Sequence, residues 1–330
     1  MRVLNEREYG LFERLVSLSQ QELHKTLGVY LKGKYKNVII EKEYIVAIGD
    51  FPIALVAHLD TVFYNQPNEI YYDQRKGVLW SPDGLGADDR AGIFAILQII
   101  QAGYRPSIIL TTDEERGGLG AQKLAKKECP IEFLRYMIQL DRRGSNDCVF
   151  YDCANGEFIK YIESFGFSEA IGSFSDISFL MPAWQVCGVN LSVGYKDEHS
   201  IAETLNVHQL FKTIEKVEKM LSDDKIPHFQ YRENSNKLKD YFAEMHPYNY
   251  EADYDAGTPC KCCGKYFFDF ELIPVKSKDK KKMVYYCPDC SVDKVEWCNE
   301  CGYAYEINNY EDDLGYCPSC LEVLTSAKNN

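Results

Sequence analysis

The run Ile53-Ala54-Leu55-Val56-Ala57-His58-Leu59-Asp60-Thr61-Val62 decides how the rest of the chain is read. Its apolar first half is short and bounded, as expected of a strand buried on both faces. A histidine where such a strand stops, with an aspartate two positions on, puts both side chains on the same side. Neutral imidazole is a good ligand for a borderline metal such as zinc, and a nearby carboxylate can orient its ring. Taken by itself, His58 reads better as a satisfied histidine at a strand end. The polar groups downstream change that balance: Asp88-Asp89, Glu114-Glu115, Asp141 and His199.

Working outward, residues 6–32 read as mainly helical, with Leu11, Leu15, Leu18, Leu23 and Leu27 spaced to form one apolar stripe. Strand-like runs follow at 37–41 and 44–48, and 63–80 reads as loop with short extended pieces. A glycine-rich turn, Gly84-Leu85-Gly86-Ala87-Asp88-Asp89-Arg90-Ala91-Gly92, leads into a helix over 93–101. Strands at 107–112 and 136–140 deliver Asp113-Glu114-Glu115 and Asp141. A helix near 121–127, a helix over 156–165, strand-like stretches at 176–180 and 186–193, and a helix over 205–222 complete the pattern. Alternating strands and helices, with polar residues where strands stop, argue for an α/β sandwich whose site lies along the strand ends.

The residue types collected there suit a pair of zinc ions: two imidazoles and several carboxylates, one of them bridging. A carboxylate that is not a ligand is still needed to take a proton from the attacking water, and adjacent Glu114 and Glu115 can divide the two tasks. His208 lies close to His199 in sequence, but inside the apolar helix that follows.

His58-x-Asp60, Gly86-Ala87-Asp88-Asp89-Arg90-Ala91-Gly92, Asp113-Glu114-Glu115-x-Gly117-Gly118, Asp141 and His199 together resemble the co-catalytic di-zinc peptidases, over about residues 50–210. These include tripeptidase T-like and carboxypeptidase G-like enzymes and single-domain zinc aminopeptidases. The resemblance implies a mixed-sheet αβα sandwich of the zinc aminopeptidase, or phosphorylase/hydrolase, type. It implies that Asp88 bridges two zincs, His58 and Asp141 completing one and Glu115 and His199 the other. Cobalt or manganese would be the usual substitutes. Asp60 would hold the His58 ring, Glu114 would act as general base and then general acid, and the Asp88–Asp89 peptide would be cis. The segment from Asp197 to Thr204 resembles the family's terminal histidine segment, which favours His199 over His208. Asp141 and His199 are only 58 positions apart, so the lid domain that many relatives insert between these ligands has no room here.

The second pattern is the cysteines. Of 13 in 330 residues, Cys129, Cys148, Cys153 and Cys187 are scattered and read as buried thiols. The other nine crowd the tail, eight of them in C-x-x-C pairs: Cys260/Cys263, Cys287/Cys290, Cys298/Cys301 and Cys317/Cys320. Each half opens C-x-x-C-G and closes C-P-x-C, a repeat that resembles tandem zinc ribbons with two structural Cys₄ zincs. A cross-braced pairing, first with third, is the less favoured alternative. Cys262 has no place in either count.

These readings divide the chain into a catalytic domain at 1–223, a linker at 224–258 with a helical piece near 236–245, and a cysteine-rich module at 259–330. The balance is acidic, 37 Lys+Arg against 50 Asp+Glu, which disfavours a nucleic-acid backbone as the main partner. The tail agrees, its one basic cluster, Lys276–Lys282, being expected at a hairpin tip. A protein-docking role for the ribbons, or a lid-like one over the peptidase cleft, is as plausible. The opening residues run straight into charge and do not resemble an export signal, and no apolar run suits a bilayer, so a soluble cytoplasmic protein is expected. The substrate expected is a peptide or related amide. An amide deacylase or carboxypeptidase acting on a small acylated amino acid is the rival enzyme. A non-catalytic zinc-ribbon adaptor with a peptidase-like binding domain is the rival from another class.

Overall fold

The computed structural model describes residues 2–63, 65–172, 174–223, 225–233, 258–267, 272–276, 283–291, 294–297 and 304–306. The chain divides into two compact units, Met1–Glu244 and Met245–Asn330.

The first unit is built on an eight-stranded mixed sheet. Its strands are β1 (Asn37–Ile40), β2 (Tyr44–Ile48), β3 (Phe51–His58), β6 (Pro106–Thr111), β7 (Tyr136–Arg142), β8 (Asp147–Val149), β9 (Ser168–Glu169) and β10 (Cys187–Ser192), in the spatial order β1-β2-β6-β3-β7-β10-β8-β9. The middle four, β6, β3, β7 and β10, are parallel. All six residues of β6 are buried, as are the last six of β3, because helices cover both faces. On one side α3 (Ala87–Gln101) packs on β3 and β7, flanked by α1 (Glu6–Val16) and α7 (Val207–Leu221). On the other, α4 (Leu119–Ala125) packs on α6 (Asp176–Trp184), which lies on β10, β3 and β7. This is the αβα sandwich expected. Between Asp141 and His199 lie only α5 (Gly156–Glu163), α6 and strands of the same unit.

Two local expectations are corrected. The stripe over 6–32 is two helices, α1 and α2 (Gln20–Lys32), because Ser19 and Glu22 form a capping box that starts a new helix. The stretch 176–180 is not a strand but the start of α6. Ile177, Leu180, Met181 and Trp184 recur at helical spacing and are all buried, and the Ser175 N–H donates to Ser178 Oγ at 2.9 Å where the helix begins. The loop region 63–80 contributes β4 (Tyr71–Asp73) and β5 (Val78–Trp80) to a second, antiparallel sheet with β11 (Tyr195–Lys196) and β12 (Thr204–Asn206). Residues 225–233 are a strap on this unit: Ile226, Phe229 and Tyr231 are buried, and the Ala154 N–H donates to the Arg232 carbonyl at 2.8 Å.

In the second unit β13 (Thr258–Pro259) pairs with β14 (Tyr266–Phe267). A four-stranded sheet runs β16-β15-β18-β17, from β15 (Ile273–Lys276), β16 (Met283–Tyr286), β17 (Val295–Trp297) and β18 (Ala304–Glu306). A short helical turn, α8, spans Pro288–Ser291. The hairpin expected at Lys276–Lys282 has its two strands in place, Lys276 opposite Met283; 277–282 lie outside the described residues, as does the helical piece expected near 236–245. No helix among the described residues is long and apolar enough to cross a membrane.

Candidate metal centre

Adjacent parallel strands deliver the polar groups side by side. In the ladder Ala57 pairs with Leu110 and His58 with Thr111, so the segments leaving β3 and β6 emerge together. The carboxylate of Asp60 accepts the Glu114 N–H on Oδ1 and the Glu115 N–H on Oδ2, each at 3.0 Å. The same Oδ1 lies 3.3 Å from His58 Nδ1. Asp60 thus orients the His58 ring and pins both glutamates. From the other side of β3, β7 brings Asp141, whose Oδ1 is 3.5 Å from His58 Nε2.

Asp88 comes from the start of α3, where Asp88 and Asp89 have non-helical backbone angles and the peptide between them is cis. Its Oδ1 lies 3.1 Å from His58 Nε2 and its Oδ2 lies 3.3 Å from His199 Nε2. His199 Nε2 also lies 3.0 Å from Glu115 Oε2. One carboxylate therefore faces both histidines, one with each oxygen. Two groups suited to hold a metal ion share it: His58, Asp88 and Asp141, and Asp88, Glu115 and His199; a third is His58, Glu114 and Glu115. His208 lies on α7 and belongs to none of them.

Asp89 supports the neighbourhood from below, its Oδ2 accepting the His58 N–H and its Oδ1 the Gly92 N–H. Gly92 is required there: a Cβ would sit 2.2 Å from the Leu140 carbonyl oxygen.

Several supporting residues escaped the sequence reading. Asp141 Oδ2 accepts from Ser175 Oγ at 2.8 Å and Gln139 Nε2 at 3.1 Å, and its Oδ1 from the Tyr195 hydroxyl at 3.1 Å. Asn190 clamps the Asp141 backbone, accepting its N–H and donating to its carbonyl. Gln139 and Asn190 are polar residues within apolar strand runs, a signal that a buried partner exists. Ser175, Tyr195 and the buried Glu203, which accepts from the backbone before Asp88, carry no such local mark.

The electrostatics describe a centre built for cations. Burial alone would push the His58 imidazolium down, yet Asp141, Asp60 and Asp88 outweigh it and hold its pKa well above the usual value. Hydrogen bonds to Asp88 and Glu115 raise His199 to about 11. Burial, followed by the charge of Asp88, lifts Asp141 to about 6. Burial also pushes Glu114 well up, with Asp141, Asp176 and Glu115 adding to it against His58. Without a metal, protons have to neutralise a buried excess of carboxylates. Glu115 Oε1 is buried with no hydrogen-bond partner, a lone pair left for a cation. Imidazole and carboxylate donors of this kind fit zinc-class ions.

The second unit holds another donor set. Cys260, Cys263, Cys287 and Cys290 form one group suited to hold a metal, with the Cys263 and Cys287 sulfurs 4.0 Å apart. Although burial opposes it, backbone N–H donors from Cys263, Cys287 and Cys262 lower the Cys260 thiol to about 6, favouring thiolate. The first C-x-x-C pair thus meets the second. Cys298, Cys301, Cys317 and Cys320 lie outside the described residues, and Cys262 is exposed.

Residues 37–163 match the sequence profile of Peptidase family M28. The fold is similar to aminopeptidase PepT from Bacillus cereus, with a TM-score of 0.51 and 16% identity over 66% of this chain and 98% of that one. A tripeptidase from Staphylococcus aureus gives a TM-score of 0.51 and 15% identity over 66% and 98%. The TET1 peptidase of Pyrococcus horikoshii gives 0.50 and 13% over 65% and 99%. No curated protein sequence matches the chain. The family match and the fold together indicate a metallopeptidase. Its first unit has the aminopeptidase fold of the M28 and TET type.

Proposed function

We propose that the first unit is a two-metal aminopeptidase or small-peptide peptidase. The observation that supports this most is Asp88, whose two carboxylate oxygens face His58 and His199, with Asp141 and Glu115 closing the two flanks. In this reading His58, Asp88 and Asp141 hold one ion and Asp88, Glu115 and His199 the other, zinc being the natural occupant of such donors. When bound, two such ions would supply Lewis-acid polarisation of the scissile carbonyl and acidify a water. Glu114 would take that water's proton and return it to the leaving amine. Asp60 keeps Glu114 and Glu115 in separate roles by fixing both backbones.

The domain organisation follows the same reading: a catalytic domain closed by the strap 225–233, a connecting segment, and a cysteine module from about 259 in which Cys260, Cys263, Cys287 and Cys290 hold one structural zinc. Cys298, Cys301, Cys317 and Cys320 would hold a second. Four thiolates leave no open coordination position, so the module binds or docks and does not catalyse.

Panels of dipeptides and tripeptides with free or blocked N-termini, given to zinc-loaded protein, test the activity. Cleavage of free N-terminal residues alone supports an aminopeptidase. Preference for blocked substrates moves the assignment to a deacylase or carboxypeptidase, and no cleavage of any substrate overturns the catalytic reading.

A further inference from the structure

Glu203 is 1% exposed, and its carboxylate accepts from three successive backbone N–H groups. Gly86 and Ala87 donate to Oε2 at 2.6 and 3.1 Å, and Asp88 donates to Oε1 at 3.0 Å. These amides open α3, and the residue before its first turn, Gly86, has no capping side chain of its own. A buried acceptor on the leading amides of a helix is favoured by the dipole and by the hydrogen bonds it receives. Glu203 therefore caps α3 from a distant part of the chain.

The same residue ends the loop that carries His199. Between β11 and β12 the backbone takes left-handed angles at Asp197 (φ 56°) and His199 (φ 60°), where side chains other than glycine's are rarely found. Ser200 stitches the loop internally, donating from Oγ to the Asp197 carbonyl at 2.8 Å and accepting from the Ala202 N–H at 3.2 Å. The Glu203 N–H donates to the Ser200 carbonyl at 3.1 Å. The His199 side chain is 53% exposed, so packing does not decide where its ring sits. The backbone has to, and Glu203 joins that backbone to the one carrying Asp88.

We infer that Glu203 is a positioning residue: it locks the loop of His199 to the loop of Asp88 and so sets the spacing of two ligands of one metal. The inference rests on the two-metal reading. Asp141, on β7, is not held by Glu203, so the ion shared by Asp88, Glu115 and His199 should depend on it more than the ion shared by His58, Asp88 and Asp141.

The test uses the full chain with its catalytic ions removed, titrated with manganese(II) and followed by the electron paramagnetic resonance of the free ion. Oxygen and imidazole donors take manganese and thiolates do not favour it. The wild type should bind in two steps. Glu203→Gln keeps the size but turns an acceptor into a donor against the amides, and should weaken one step by about 10–100-fold, as loss of a ligand's supporting partner does, while the other moves less. Two unchanged steps overturn the inference and leave the two-metal reading standing. A wild type that takes up no manganese or zinc overturns both. If Glu203→Gln does not fold, hydrogen exchange of metal-free wild type decides: the amides of Gly86, Ala87 and Asp88 should exchange as slowly as those of β3, and fast exchange overturns the inference.

Discussion

In the first unit, β3 and β6 run through a continuous apolar core that includes Ile53, Leu55, Ile108, Phe94, Tyr136 and Leu191, all fully buried. Its polar centre sits where those strands end. In the second unit, the buried clusters among the described residues are small: Cys260, Leu272 and Cys287 form one, and Val275, Tyr286 and Ala304 another. Cys260 and Cys287, two of its potential ligands, thus belong to one of these clusters. The first unit has a scaffold that folds by apolar burial, with its potential metal ligands set at the edge of that core; in the second, potential ligands are themselves members of the small clusters. The same element would do different work in each half, catalysis in one and folding in the other.

Metal removal should separate the halves most sharply. Structural zinc sites contribute on the order of 10–16 kcal/mol of apparent folding free energy in zinc-finger peptides. A strong chelator should therefore abolish the amide-exchange protection of residues 258–306 while the β3 and β6 amides stay protected. Survival of the second unit without metal would erase the contrast. Replacing Cys260 and Cys263 by serine refines it: sequential pairing leaves Cys298, Cys301, Cys317 and Cys320 able to keep one zinc per chain. Loss of both would favour the cross-braced arrangement.

Next in size is chemistry without folding. Glu114→Gln cannot accept a proton and should lower turnover by roughly 10²–10⁴-fold, with both catalytic ions retained by elemental analysis. Glu115→Ala, one position on, should lose an ion and regain part of its activity at high zinc. Near-normal turnover of metal-loaded Glu114→Gln would show that another group is the base.

The converse substitution is folding without chemistry. Leu55 is fully buried in β3, so Leu55→Ala should cost the first unit about 2–5 kcal/mol in denaturant unfolding and leave metal uptake by the cysteine unit unchanged. The smallest effect is expected from Ser175→Ala. It removes one of the donors to Asp141 Oδ2 while Gln139 remains, so manganese affinity should fall by no more than about 10-fold. A larger fall would mean that Ser175 contributes more to the centre than one hydrogen bond.

The reactive groups are written locally in the chain. Each of His58, Asp60, Glu114, Glu115 and Asp141 follows or ends a short apolar run, and buried strands read clearly because their apolar residues are contiguous. Asp88 and Asp89 were marked by the glycines around them, and the cysteine pairs by spacing alone. Their supports come from far along the chain. Glu203 lies 115 positions from Asp88 and Ser175 lies 34 from Asp141, and nothing in either neighbourhood announces the partner. The start of α6 misled for a related reason: Asp176-Ile177-Ser178-Phe179-Leu180 is too short to show a period, and its helical spacing emerges only with Met181 and Trp184 packed on the sheet. A chain can record within a few residues which groups are reactive. Which groups hold them in place depends on strand order and on hydrogen bonds that exist only after the sheet has formed.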